Sequence, residues 1–349
     1  YWSVYSDNVT WPMAWYTVAA MLDEQYGDSQ PIREAYEPMK KFMLHLKKRY
    51  DDHGIITRDV YGDWCLPPES PELIHSKDST RITRGPVLAT AAYYRLCRLM
   101  ERFAGIAGKT ADVALWQEMG RETREAFNRR FYHADKGWYD NNTVTANILA
   151  LRWGLVPEGE ADRVFGQVVA KMTAAGTPHI STGVLGTQEI MRGLTDYGRG
   201  DIAYTLATNR TYPSWGFMTD HGATTIWELW NGDTANPRMN SGNHIMLLGD
   251  LVIWYYQYLA GIGQTSDSRG YSHIRLQPRI PDGLSHVSAT YHSPYGLIES
   301  RWRIDGDTMH WQFTIPANTT AEVCIPQQGG GYVIQHYGSG TYEVTAQVR

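Results

Sequence analysis

The chain has 349 residues, 42% of them hydrophobic and 20% charged, with a formal net charge of −5. That length and balance suffice for a large core and for two or three domains. The small charge and the lack of a Lys/Arg stripe argue against a nucleic-acid or membrane surface as partner.

Helical patterning starts at Trp11 and continues to about Gly261. WPMAWYTVAAMLDEQYG places Pro12 near its start and Gly27 just past its end, the asymmetry of helix termini. SQPIREAYEPMKKFMLHLKKRY follows at once, opening on Ser29 and Pro31. GPVLATAAYYRLCRLMERFAG comes next, then TADVALWQEMGRETREAFNRRFY with Thr110 as its N-cap, TVTANILALRWG and PEGEADRVFGQVVAKMTAAG. GVLGTQEIMRGL, GDIAYTLATN, a short piece near Pro213 and NHIMLLGDLVIWYYQYLAG complete about ten helices. The longest apolar run lies in the last of these; Asp250 interrupts it, so it reads as a buried helix and not a membrane span.

Several of these helices are apolar on more than one face, which an inner ring of helices wrapped by an outer ring explains. The expected fold is therefore mainly α, an (α/α)6 barrel. Six hairpins need twelve helices, so the shortfall predicts a barrel incomplete at its N-terminal end. Past Gly270 the period changes to alternation: Met309, Trp311, Phe313 and Ile315 share one face of TMHWQFTI, Asp305 and Gly306 mark a turn, and YEVTAQV alternates again. The predicted division is a helical domain over 1–265 and a small antiparallel β-sandwich over 266–349.

The chain holds 13 Trp and 23 Tyr against 7 Phe. Flat rings with a polar edge suit a carbohydrate ligand. Cys65, Cys97 and Cys324 are odd in number and widely spaced, with no metal-ligand clustering, so neither a disulfide framework nor a zinc site is predicted. No phosphate loop, nucleophile elbow or HExxH is present. The stretches where acids and indoles meet are YGDWCLPPE, with Asp63 and Trp64, and the long segment from Tyr212 to Asp250, with Glu228 between Trp227 and Trp230. Desolvation disfavours a charged carboxyl, so Glu228 there needs a polar partner, and His244 is the candidate. Paired carboxylates at the mouth of a helical toroid, flanked by indoles, point to glycoside hydrolysis. Asp63 reads equally as a helix cap, and His244 as a core histidine.

YGDWCLPPE, STGVLGTQEIMRGLTDYGRGDIAY, YPSWGFMTDHGATTIWELWNGD, MNSGNHIMLLGD and YLAGI, in this order and spacing, resemble bacterial α-L-rhamnosidases of glycoside hydrolase family 78. IPANTTAEVCIP resembles that family's C-terminal β domain, so the likeness runs nearly end to end. The resemblance implies an (α/α)6 barrel followed by a β-sandwich, and removal of terminal α-L-rhamnose with inversion. It implies that Glu228 is the general base, with His244 lining the sugar pocket beside it as the second catalytic residue. Asp63 and Trp64 would contribute to the sugar site, Trp230 to its wall, and Asp7, ahead of an inner helix, to substrate binding.

One departure stands out. The family's general acid lies in a DERxGW-type segment that nothing in this chain matches, so that acid is expected upstream, on the same polypeptide, with Asp63 as a remote substitute. The expected partner is a rhamnose-containing oligosaccharide or glycoside; no cofactor or metal is expected, and the expected setting is the periplasm or other export from a bacterium, with the cytoplasm as the alternative. The competing readings are an inverting helical-barrel glycosidase for another sugar and a carbohydrate-binding fragment without activity.

Overall fold

The structure is a computed structural model that describes residues 7–235 and 241–348. Ser6 of the SDNVTWP stretch and Met239 and Asn240 of MNSGNH lie outside the described residues. Two compact units result: residues up to 17 with 32–250, and residues 18–31 with those from 251 onward.

The first unit is helical. α1 (Met13–Tyr26) begins in it, and α2 (Gln30–Tyr50), α3 (Gly85–Ile106), α4 (Thr110–Phe131), α5 (Val144–Arg152), α6 (Ala161–Thr173), α7 (Val184–Asp196), α8 (Gly200–Thr208) and α9 (Trp215–Asp220) follow, each on a segment whose spacing predicts it. Two small hairpins, β1 (Asp51–Asp52) with β2 (Ile55–Ile56) and β3 (Tyr132–His133) with β4 (Trp138–Tyr139), close helix ends.

Burial separates two layers. α2 buries Ile32, Tyr36, Met39, Met43 and Leu46, a single stripe at helical spacing. α3, α5 and α7 are buried on nearly every side, which is why their sequences lack a polar face. α3 packs on α4, α5 on α6 and α7 on α8, and α5 lies between α3 and α7. The inner Tyr16 and Tyr93 donate their hydroxyls to the carbonyls of Met39 and Met43 on α2, at 2.8 and 3.1 Å. Buried phenols need such acceptors, so each bond also fixes the register between layers.

One buried charge of this interior is met by several opposite ones. Glu189 of α7, 3% exposed, faces Arg95 of α3 at 2.8 Å, Arg152 of α5 at 3.2 Å and Arg192 at 3.5 Å. Burial alone would raise the Glu189 carboxyl, but the three guanidiniums hold it below its ordinary value. Arg192 also meets the buried Asp250 at 2.6 Å.

Two local expectations change. Thr110 is the first residue of α4 and not its cap; Lys109 stands at the cap position without a side-chain capping bond. Asp112 places a carboxylate in that first turn, where it accepts from Lys40 at 2.7 Å and Tyr36 at 2.8 Å and favours the positive end of the helix. The apolar run around Asp250, expected as one buried helix, is a 3-10 turn at Ile245–Leu248, a break at Gly249 (φ 54°), α10 (Leu251–Trp254) and a π turn at Tyr255–Leu259. Val252, Ile253, Tyr255 and Tyr256 are exposed. Gly249 is the cause: its conformation strains any residue with a side chain, and an added Cβ would meet Thr187 at 2.8 Å.

The second unit is a sandwich of two four-stranded sheets. β5 (Ile262–Gln264), β6 (His273–Leu276), β10 (Thr320–Pro326) and β11 (Tyr332–Tyr337) form one in the order β11-β10-β6-β5. β7 (His286–Ser293), β8 (Gly296–Asp305), β9 (Thr308–Ile315) and β12 (Gly340–Gln347) form the other in the order β12-β9-β8-β7. Met309, Trp311, Phe313 and Ile315 point inward as the alternation predicts, against Ile274, Leu276 and Val323 of the first sheet. The hairpin turn is Gly306 and Asp307, since Asp305 already pairs with Thr308. β5 lies before residue 266, so this sheet starts on the helical side of the predicted boundary. The sandwich is not wholly antiparallel, because β6 and β10 run parallel. A parallel pair needs a crossover, and here the crossover is the β7–β8–β9 meander of the opposite sheet.

Ser300, fully buried in β8, accepts from Trp311 Nε1 at 3.0 Å and donates to the Ala260 carbonyl at 2.6 Å. Ser300→Ala leaves a donor and an acceptor unsatisfied in the core and is expected to cost about 1–3 kcal/mol, read from the denaturant midpoint of unfolding.

Candidate active site

The loop between β2 and α3 carries the first group of residues. Asp59 shapes its entry by accepting from the Gly62 and Tyr61 amides at 2.8 and 3.2 Å and from the Thr10 hydroxyl at 2.8 Å. Asp63 then turns inward. Its carboxylate accepts from the Gly183, Leu185 and Gly186 amides at 2.8, 2.8 and 3.2 Å, and in a short contact from the Thr145 hydroxyl. These amides are the free donors at the start of α7, where the helix dipole favours an anion. Burial pushes the Asp63 carboxyl above its ordinary value, while the four donors act against that rise.

The reading of Asp63 as a helix cap is therefore the one the geometry follows, but the helix it caps starts 120 residues later. All four donors come from the protein, so these bonds commit the carboxylate to the fold. The next carbonyl, of Trp64, accepts from Val184 N at 2.7 Å and completes the clamp. Trp64 is half-buried, with its ring against His75 at 4.7 Å between centroids and 57° between planes. Cys65 is 3% exposed, and its φ of 59° turns the loop back.

The second group lies past α9. The chain around Ile226–Glu228 pairs with residues 241–244: Glu228 N donates to the Ser241 carbonyl at 2.9 Å and His244 N to the Ile226 carbonyl at 2.7 Å. The Ser241 amide returns a bond to Glu228 Oε2 at 3.1 Å. Trp227 and Trp230 on either side are buried, and Glu228 is half-buried. The Cys65 thiol is pushed up first by burial and then by the charges of Glu228 and Asp63.

The partner expected for Glu228 is different from the one found. His244 takes the Met246 amide on Nδ1 at 3.3 Å, which leaves Nε2 as the proton-bearing nitrogen; the bond that steadies the Glu228 carboxylate comes from the Ser241 backbone. His244 enters the same short ladder through its own backbone. Trp230 also differs: at 1% exposure, with its ring edge-on to Trp215 at 5.6 Å, it is packing and offers no face to a ligand. Asp7 lies with α2, accepting from His45 Nε2 and the Tyr50 hydroxyl, both at 2.7 Å. Those two bonds hold its carboxyl below the ordinary range. Among the described residues none of its hydrogen bonds or ion pairs is with the Glu228 group. A separate cavity of about 300 Å³, lined by Thr10, Trp11, Arg95, Gln188, Glu189 and Met246, contains none of the six predicted residues.

Sequence reasoning missed the Ser241 amide, which a backbone role hides, and Asn231. Asn231, fully buried, donates Nδ2 to the Leu73 carbonyl at 2.8 Å and, in a shorter contact, to that of Pro71; Thr234 adds a bond to Pro71 at 2.7 Å. The signal was its place three residues after Glu228 within WELWNGD.

Two substitutions probe the clamp. Asp63→Ala strips the start of α7 of its acceptor and is expected to cost about 2–4 kcal/mol in chemical unfolding. A Cβ on Gly183 would lie 2.1 Å from the Asp63 carbonyl oxygen and 2.5 Å from that of Trp64. Both obstacles are backbone, so Gly183→Ala is expected to lower the melting temperature at least as much as Asp63→Ala.

Residues 1–259 match the family model described as the bacterial alpha-L-rhamnosidase 6 hairpin glycosidase domain, and residues 261–339 match that of the bacterial alpha-L-rhamnosidase C-terminal domain. An α-L-rhamnosidase of Streptomyces avermitilis is 34% identical over 323 residues, covering 90% of this chain and 29% of its own length. One of Formosa agariphila is 32% identical over 305 residues, covering 86% of this chain and 32% of its own. Among solved structures, the Streptomyces avermitilis enzyme complexed with L-rhamnose aligns with a TM-score of 0.85 at 31% identity over 95% of this chain and 32% of that one. The α-L-rhamnosidase of Dictyoglumus thermophilum gives 0.89 at 29% identity over 99% and 40%. The chain spans about a third of the length of the curated relatives it matches. A helical domain of paired inner and outer helices, followed by a two-sheet β domain and matched along nearly its whole length, places this chain in the bacterial α-L-rhamnosidase six-hairpin glycosidase family.

Proposed function

We propose that this chain is the helical barrel and C-terminal β domain of an inverting α-L-rhamnosidase, with Glu228 as general base and the leaving-group acid on an upstream segment of the same polypeptide. The observation that carries the reading is the state of the Glu228 carboxylate. It is half-buried in a segment whose Trp227 and Trp230 are buried, and one oxygen is held by the Ser241 amide. Its other oxygen takes no hydrogen bond among the described residues, which suits a water molecule awaiting attack.

In this mechanism the water oxygen bonds to the anomeric carbon from the face opposite the leaving group while Glu228 takes one of its protons. The glycosidic C–O bond breaks, and the upstream acid supplies a proton to the departing oxygen. Inversion needs room for that water, so the two carboxyl groups stand about 6.5–9.5 Å apart in the complete enzyme. His244, held in the same ladder with its Nε2 proton free of Met246, is a donor for a sugar hydroxyl. Trp64 supplies the apolar face beside it.

The test uses the complete polypeptide with α-L-rhamnosyl fluoride, whose leaving group depends little on an acid, and with an ordinary rhamnoside. Release of rhamnose with inverted configuration, followed by NMR, is expected from both. Glu228→Gln is expected to lower kcat by a factor on the order of 10² to 10⁴ on either substrate while calorimetric binding of rhamnose persists. Near-normal turnover by that variant removes Glu228 from the reaction.

A further inference from the structure

Resting on the rhamnosidase reading, we propose that His75 is a specificity-determining residue, forming the outer wall of the site against a sugar ring attached to the departing oxygen. His75 lies in the segment 66–84, which has no helix or strand of its own. A loop of that length inside a compact domain is commonly functional or disordered. This one is braced. Glu69 accepts from the Lys77 and Asp78 amides at 3.2 and 2.9 Å and, in a short contact, from the Ser76 hydroxyl. Arg81 donates to the Pro67 carbonyl at 2.9 Å, and Asn141 to the Ser79 and Ile82 carbonyls at 3.2 and 2.9 Å.

One tether brings the loop to the site: Asn231 and Thr234, just past Glu228, hold the carbonyls of Pro71 and Leu73. His75 is two residues beyond that tether, close along the chain to the carbonyls held by the turn that carries the base.

Trp64 is half-buried, and His75, packed on it at 4.7 Å between centroids with 57° between the ring planes, is exposed. A terminal rhamnose sits at the half-buried end of this pair, and the group it leaves behind faces the exposed end. An imidazole beside an indole adds a second ring face and a polar edge to that wall.

The experiment compares His75→Ala and His75→Phe with the complete wild-type polypeptide on α-L-rhamnosyl fluoride and on an α-L-rhamnosyl disaccharide. His75→Ala is expected to lower the ratio of kcat/KM for the disaccharide over that for the fluoride at least tenfold, chiefly through KM. His75→Phe, which restores the flat ring, is expected to recover most of it. An unchanged ratio, or an equal fall on both substrates, overturns the proposal. Hydrolysis of neither substrate by the wild type overturns the rhamnosidase reading itself, and His75's assignment falls with it.

Discussion

The arrangement depends on one buried carboxylate that meets a helix end. Asp63 collects three amides from the first turn of α7 and a hydroxyl from α5, so a single side chain ties a loop to two inner helices. Each amide would otherwise lack an acceptor in a dry setting, which makes the arrangement hard to alter by degrees. Gly183 belongs to the same joint: the Asp63 and Trp64 carbonyls come so close that only a residue without Cβ fits. Trp64 and Cys65, the next two residues, inherit their positions from this joint.

Glu228 shows a different pattern. Asp63 has four donors from the protein, whereas among the described residues the bond to the Glu228 carboxylate comes from the Ser241 amide. Fewer protein donors leave more of a carboxylate's lone pairs for other partners.

The helices were legible because burial imposes period on a helix with one dry face and removes it from one that is dry all round. The strands were legible through alternation, as in β9. What stayed hidden had its cause elsewhere in the chain. Asp63 caps a helix whose residues lie 120 positions away, and no local pattern announces that. Trp230 resembles a binding indole in sequence because packing and stacking use the same side chain; only its edge-on neighbour Trp215 separates the two roles. His244 was expected to hold Glu228, yet the Ser241 amide does so, and a backbone donor leaves no trace in residue type. The apolar run around Asp250 failed as a helix at Gly249, whose backbone angle cannot be read from hydrophobicity.

The parallel pairing in the C-terminal unit bears on how this chain is assembled in time. β6 meets β10 across 47 residues, and every strand of the meander between them must emerge first. Until then one border of β6 exposes a row of unsatisfied amides and carbonyls, open to pairing with another nascent chain. The three-strand meander β7–β8–β9 closes by short local turns and is free to form earlier. Synthesis that stalls ahead of residue 320 therefore strands a half-built sheet with an adhesive rim, a hazard confined to one short interval of translation.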